Sequence, residues 1–211
     1  RSTIINPGLQ YVPKQIMHKK NQKQLVIGYL GRLVPEKGVD ILIKAFSLIK
    51  QTNHNINIKL AIAGDGPEKK SLEQLVQNLE IEKDVKFLGF TNNYQALSGF
   101  DILVNPNTVN HPLEMVNAEA AYMGVPVVCF GNKEIPETVV DQKTGCKVTD
   151  KTVQSLAKSI IKLLSDKQLR IKLGKKGQQF ALSNFSFDGQ ILQLKKLYLV
   201  QEYNHYVKCT K

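Results

Sequence analysis

Short apolar runs alternate along this chain with segments whose apolar residues recur at helical spacing. The run Leu25-Val26-Ile27-Gly28-Tyr29-Leu30 is too short and too rich in β-branched residues for a helix, and predicts a buried strand. Val39, Leu42, Ala45, Phe46 and Ile49 then repeat every three or four positions, the stripe of a helix packed on that strand. A second strand is expected over 59–63. Gly64-Asp65-Gly66-Pro67 stops it, with Pro67 at the first position of a helix carrying Leu72, Leu75, Val76 and Leu79. Further strands are expected over 85–88, 102–104, 125–130 and 146–148, and helices over 94–98, 115–123, 136–140 and 153–164. Strands that are apolar throughout and separated by helices are βα units, so the fold class is α/β, with a parallel sheet covered on both faces. Ligands of such sheets gather beyond the carboxyl ends of the strands.

From about Ser165 the pattern is helical to the end. Residues 166–176 form a basic helix, either an ordinary solvated face or a surface for a membrane or a nucleic acid. The last stretch, 191–207, carries Leu194, Leu197, Tyr198 and Tyr203 on one face and suits a helix lying across a neighbouring domain.

Composition changes the picture at three points. Lys plus Arg number 29 against 18 Asp plus Glu, a net charge of +11 that favours anionic partners or reflects a chain rich in Lys, Asn, Gln and Ile throughout. Aromatic residues are 7% with no Trp, which argues against nucleic acid, since single strands are bound on aromatic platforms. The three cysteines, Cys129, Cys146 and Cys209, are an odd count without metal-ligand spacing and read as thiols of a reducing, cytoplasmic compartment. No apolar run approaches the roughly 20 residues of a membrane span and no signal peptide opens the chain. The start at Arg1 reads as an excerpt of a longer protein, and Asn184-Phe185-Ser186 as a chance sequon.

Two segments could carry chemistry. Gly31-Arg32-Leu33-Val34-Pro35-Glu36-Lys37-Gly38 follows the first strand and precedes a helix. Guanidinium, ammonium and helix N-terminus together can hold a diphosphate, although an ordinary surface loop has the same composition. It is neither a Walker loop nor a dinucleotide fingerprint. Glu119 lies among alanines on a helix expected to pack on the sheet. Its two oxygens match vicinal ribose hydroxyls, unless the residue simply faces water.

These segments occur in order with Ala63-Gly64-Asp65-Gly66-Pro67, Phe87-Leu88-Gly89-Phe90, Asp101-Ile102-Leu103-Val104-Asn105-Pro106, Gly124-Val125-Pro126-Val127-Val128, Ile135-Pro136-Glu137 and Thr144-Gly145. Together they resemble the C-terminal, nucleotide-sugar-binding domain of retaining glycosyltransferases of the GT-B fold, family 4. The resemblance runs from about Leu25 to Asp188. It implies a Rossmann-like three-layer α/β/α domain, the C-terminal half of a GT-B fold. Residues 1–24 would be the lead-in from a missing N-terminal acceptor domain of the same protein, in which Ile4-Ile5-Asn6-Pro7-Gly8 resembles the family's crossing point. Residues 25–188 would be the donor domain, and 189–211 a C-terminal helix packing toward the missing half. The implied reaction transfers a sugar from a nucleotide-diphosphate donor to a saccharide or lipid-linked acceptor with retention, in polysaccharide or glycolipid synthesis.

By the same resemblance, Gly31, Arg32 and Lys37 would hold the diphosphate and stabilise it as it leaves, with no metal or other cofactor. The backbone at Met115 and Val116 would meet phosphate, Glu119 the ribose, and Phe90 and Thr91 the base. The chain departs from the family where a first glutamate is usual: His111 stands there, and Glu114 replaces a glycine. Either Glu114 points away from the diphosphate, or it weakens binding, or it supplies the missing acid; His111 has a catalytic role or is a plain loop residue. These changes keep open a second reading, a non-catalytic relative acting as a binding or partner subunit. Peripheral contact with the inner face of a membrane fits the charge, and the isolated half is expected to be inactive.

Overall fold

The computed structural model describes residues 7–9, 24–52, 56–109, 113–131 and 138–209, with side chains to 198. Its six strands, β1 (Leu25–Leu30), β2 (Ile58–Ala63), β3 (Val85–Gly89), β4 (Ile102–Asn105), β5 (Val127–Phe130) and β6 (Gly145–Val148), form one sheet in the order β3-β2-β1-β4-β5-β6. Every pairing is parallel. The helices are α1 (Val39–Thr52), α2 (Lys69–Asn78), α3 (Asn93–Ser98), α4 (Met115–Tyr122), α5 (Val153–Ser165), α6 (Lys167–Asn184) and α7 (Phe187–Cys209). This is the Rossmann-like α/β/α arrangement that the alternating pattern and the resemblance imply.

Alternation along each strand divides the core. Ile27, Tyr29, Leu60, Ile62, Ile102, Val104 and Val128 face a layer built from α1, α2 and α5, into which Leu42, Phe46, Leu72, Leu156 and Ile160 insert. Leu30, Leu103, Val127 and Cys129 face the opposite side, against Leu97, Phe100, Ala120 and Met123. Gly28 belongs to this second face, where a side chain would collide with the Phe100 ring: a Cβ would lie 2.0 Å from it. Four helices begin on the side-chain caps that their sequences offer, α7 among them, where the Ser186 hydroxyl oxygen accepts from the Gly189 amide. Asn92 accepts from the amides of Tyr94 and Gln95, Thr152 from Ser155, and Asp166 from Leu169.

Several boundaries differ from expectation for identifiable reasons. Pro67 lies in a turn and α2 begins at Lys69, because the Glu68 and Lys69 amides bond back to the carbonyls of Leu33 and Gly66. The strand expected from 125 begins at Val127: Pro126 accepts from the Leu103 amide but has no N–H to give the ladder. The helix expected over 136–140 is absent from its described part, 138–140; residues 132–137 lie outside the described residues. The last helix extends beyond 191–207 at both ends. Its Leu192 and Tyr198 are exposed, with Ile191, Leu194 and Leu197 half-buried. No described helix is long and apolar enough to cross a membrane. Asn184 ends α6, with its side chain bonded to the Phe180 carbonyl beside fully buried Phe185.

Residues 7–9 lie beside the α6–α7 corner. The Leu9 amide bonds the Phe185 carbonyl at 2.8 Å, the Gly8 amide bonds the Gln190 side chain, and Leu9 is buried against Ala118 and Phe185.

Gly38 closes a short 3-10 helix, Pro35–Lys37, in the left-handed region, at φ 63°, and a Cβ there would lie 2.3 Å from the Pro106 carbonyl oxygen. Gly89 is also left-handed, φ 67°, but in open space. Gly38→Ala should therefore destabilise the chain by about 3–4 kcal/mol, from backbone strain plus displacement of the β4–α4 loop. Gly89→Ala should cost only about 1–2 kcal/mol. Urea unfolding of both variants measures the difference; equal losses would mean that the contact with Pro106 carries no weight.

Candidate functional site

In an open sheet of this order, β1 and β4 are neighbours from which the chain crosses over in opposite directions, and ligands of such sheets bind in the crevice beyond the carboxyl ends of that strand pair. The two segments that could carry chemistry follow these strands, 31–38 after β1 and the helix of Glu119 after β4. After β1 the chain passes Gly31 and Arg32 into the Pro35–Lys37 turn, and Gly38 leads into α1. The buried Tyr29 hydroxyl donates to the Arg32 carbonyl at 2.7 Å and fixes the backbone of this loop. Burial, then the carboxylates of Glu114 and Glu36, push the Tyr29 phenol well above its ordinary value, so it remains a donor. The Arg32 side chain is exposed, with no hydrogen bond or ion pair among the described residues.

Lys37 is differently placed. Its ammonium lies 2.9 Å and 3.2 Å from the two carboxylate oxygens of Glu114, and the two side chains are only 21% and 16% exposed. Asn107, 5% exposed, donates to the same carboxylate through Nδ2 and accepts from the Val109 amide through Oδ1. Glu114 occupies the N-cap position of α4, yet its side chain caps nothing; it is turned toward Lys37. The two loops meet a second time where the Glu36 carbonyl accepts from both the amide and the hydroxyl of Thr108, at 2.8 Å and 3.0 Å. The Lys151 ammonium bonds the Thr108 carbonyl at 2.6 Å.

Glu119 lies one turn further along α4. Its carboxylate is half-buried and accepts from Asn93 Nδ2 at 3.0 Å, which joins α4 to the start of α3. Burial raises the Glu119 pKa above its ordinary value of 4.5, opposed by the bond from Asn93. The neighbouring Tyr94 phenol is pushed up to about 12 by burial, then by Glu119 and Tyr122. Met115 and Val116 open α4, where the first backbone amides of any helix lack intrahelical acceptors. Phe90 is 93% exposed at the end of β3, with Thr91 half-buried beside it. His111 lies outside the described residues, as do Ile135, Pro136 and Glu137. Among the described residues no group of three or more His, Cys, Asp or Glu side chains could hold a metal ion.

The structure adds residues that sequence reasoning passed over. Asn105, at the end of β4, donates to Asn117 Oδ1 at 3.1 Å, and Asn117 Nδ2 donates to the Thr138 hydroxyl at 3.2 Å, all three buried. These bonds tie the strand, the first turn of α4 and the segment before β6 into one unit. The available signal was an amide directly after the apolar run 102–104, repeated two residues later at Asn107.

The family model of glycosyl transferases group 1 matches residues 14–180, and the chain belongs to that family. It is 29% identical over 182 residues to N-acetyl-alpha-D-glucosaminyl L-malate synthase of Bacillus anthracis, covering 84% of this chain and 46% of that protein. It is 30% identical over 183 residues to a GDP-mannose-dependent alpha-(1-6)-phosphatidylinositol monomannoside mannosyltransferase of Mycolicibacterium smegmatis, covering 82% and 47%. Among solved structures, Anabaena HepE in complex with UDP and glucose superposes with a TM-score of 0.76 at 27% identity, covering 84% of this chain and 49% of that one. The chain thus spans about half the length of these relatives.

The raised Glu119 pKa fixes the sign of a pH effect. The folded state binds this proton more tightly than the unfolded chain, so the group costs stability as pH rises through the interval above its ordinary 4.5. Relative to Glu119→Gln, which cannot titrate, the wild-type chain should lose stability between about pH 4.5 and neutrality. Denaturant unfolding of both proteins across that range checks it, and parallel curves would show that burial leaves Glu119 unperturbed.

Proposed function

We propose that this chain is the donor-binding half of a retaining glycosyltransferase, which moves a sugar from a nucleoside-diphosphate sugar to a saccharide or lipid-linked acceptor held by a second, N-terminal domain. The observation that carries the reading is the exposed Arg32 guanidinium, unpaired among the described residues, at the same carboxyl edge as the half-buried Glu119 carboxylate held by Asn93. An anion-binding group and a hydroxyl-binding group bordering the same crevice suit the diphosphate and ribose of one ligand. Likeness to HepE, whose structure holds UDP and glucose, and to a GDP-mannose-dependent enzyme supports a nucleotide-sugar ligand.

In this reading Glu119 accepts from the vicinal ribose hydroxyls in place of Asn93, or together with it. The first amides of α4, at Met115 and Val116, meet a phosphate, and Phe90 and Thr91 lie beside the base. Arg32 stabilises negative charge on the diphosphate as the glycosidic bond breaks, a fixed-charge effect that needs no metal and for which single donors are worth about 100-fold or more in rate. Lys37 adds to that field to the extent that Glu114 releases it. The protein works in the cytoplasm, at the inner membrane face where the acceptor is lipid-linked, and the isolated half binds donor without turnover. A second reading, a non-catalytic relative, draws on the neutralised Lys37 and the altered glutamate motif. Donor turnover by a protein carrying both halves separates the two.

Calorimetric titration with UDP, GDP, ADP and their sugar conjugates tests the proposal. One nucleotide should bind, and Arg32→Ala and Glu119→Ala should each weaken it about tenfold or more, as expected for loss of a hydrogen bond to a charged group. Binding that is unchanged in both variants would remove the ligand from this crevice.

A further inference from the structure

The two cations of the β1–α1 loop differ in state: Arg32 is unpaired among the described residues, whereas Lys37 is bonded to both oxygens of Glu114. Glu114 is itself held from the other side by Asn107, whose amide is buried and used at both ends. The carboxylate is thus a fixed anion already seated on a cation of the diphosphate site. From this geometry we infer that Glu114 is a built-in competitor of the donor diphosphate for Lys37, and so a determinant of donor affinity. The inference rests on the donor-binding reading above.

Three observations support it. Glu114 is at the N-cap of α4, where a carboxylate could bond the helix's own amides, yet it makes no such bond and turns to Lys37. Burial of Asn107 keeps the carboxylate from swinging freely into water, since departure would leave that amide without its acceptor. The Glu36–Thr108 bonds hold the two loops together independently, so their approach does not need the ion pair. A diphosphate reaching Lys37 must therefore displace a carboxylate while the surrounding loops stay in place. Binding to Arg32, the α4 amides and Glu119 proceeds without that exchange. The donor meets Arg32, unpaired among the described residues, with Lys37 available only against internal competition.

The test is calorimetric binding of UDP, GDP and ADP, with the matching nucleosides as phosphate-free probes. The chains compared are wild type, Glu114→Gln, Lys37→Gln and the double variant. Glu114→Gln keeps the size and polarity of the side chain but removes its charge, and should tighten nucleoside-diphosphate binding about two- to fivefold while leaving nucleoside binding unchanged. In the Lys37→Gln background the same substitution should gain little, because there is no ammonium to compete for. Glu114→Gly serves as a second variant if melting shows that Gln perturbs the fold. Wild-type binding that is not tightened by either substitution would overturn the inference alone. A gain of equal size in the Lys37→Gln background would overturn it too, by showing plain repulsion in place of competition. Failure of every chain to bind any nucleoside diphosphate would remove the donor-binding function, and this inference with it.

Discussion

The parallel pairing of all the described strands governs the rest of this structure. Because the strands share a direction, each loop that follows one emerges at the same edge, however far apart the segments lie in sequence. The order β3-β2-β1-β4-β5-β6 makes β1 and β4 neighbours, so the loops after them lie side by side at the carboxyl edge, where ligands of such sheets bind. Gly38 lets them approach closely, with its backbone against the Pro106 carbonyl, and the Glu36–Thr108 bonds hold them there. Burial of Tyr29 beneath the first loop and of Asn105 and Asn117 beneath the second fixes the walls.

On that frame the electrostatics are uneven, and the unevenness gives the site its character. A net charge of +11 describes the whole chain, but the local field depends on which cations are paired. Lys50 and Lys59 are bound to Asp84, far from the carboxyl edge; burial raises that carboxyl, and the two lysines outweigh it and hold it low. Lys37 is bound to Glu114 at the crevice itself. Arg32 is left as the exposed cation of its loop, while burial of the Glu119 carboxylate favours its protonated form.

Much of the fold was legible in the sequence. Short runs that are largely apolar and often β-branched marked the strands, because a strand covered on both faces must be apolar nearly throughout. The misplaced boundaries arose where backbone bonds decided: Pro126 cannot donate to the ladder, and the turn at Pro67 is held by carbonyls more than thirty residues upstream or close at hand. In the site, Arg32, Lys37 and Glu119 stood out through residue type and their place after apolar strands. Asn107 and Asn117 did not, because a single amide in a sequence gives no sign of the partner that makes its burial tolerable, and exposed Asn93 did not because its partner Glu119 lies on another helix.

The sequence by itself determined the layered α/β fold, the family and the residues with the right chemistry, since each follows from local pattern and order along the chain. Only the tertiary structure decided which of those residues are available. Whether Lys37 is a free cation depends on Glu114, far away in sequence and brought to 2.9 Å by the adjacency of β1 and β4. Charge neutralisation of this kind is a property of distance, and distance between remote segments exists only once the sheet has formed.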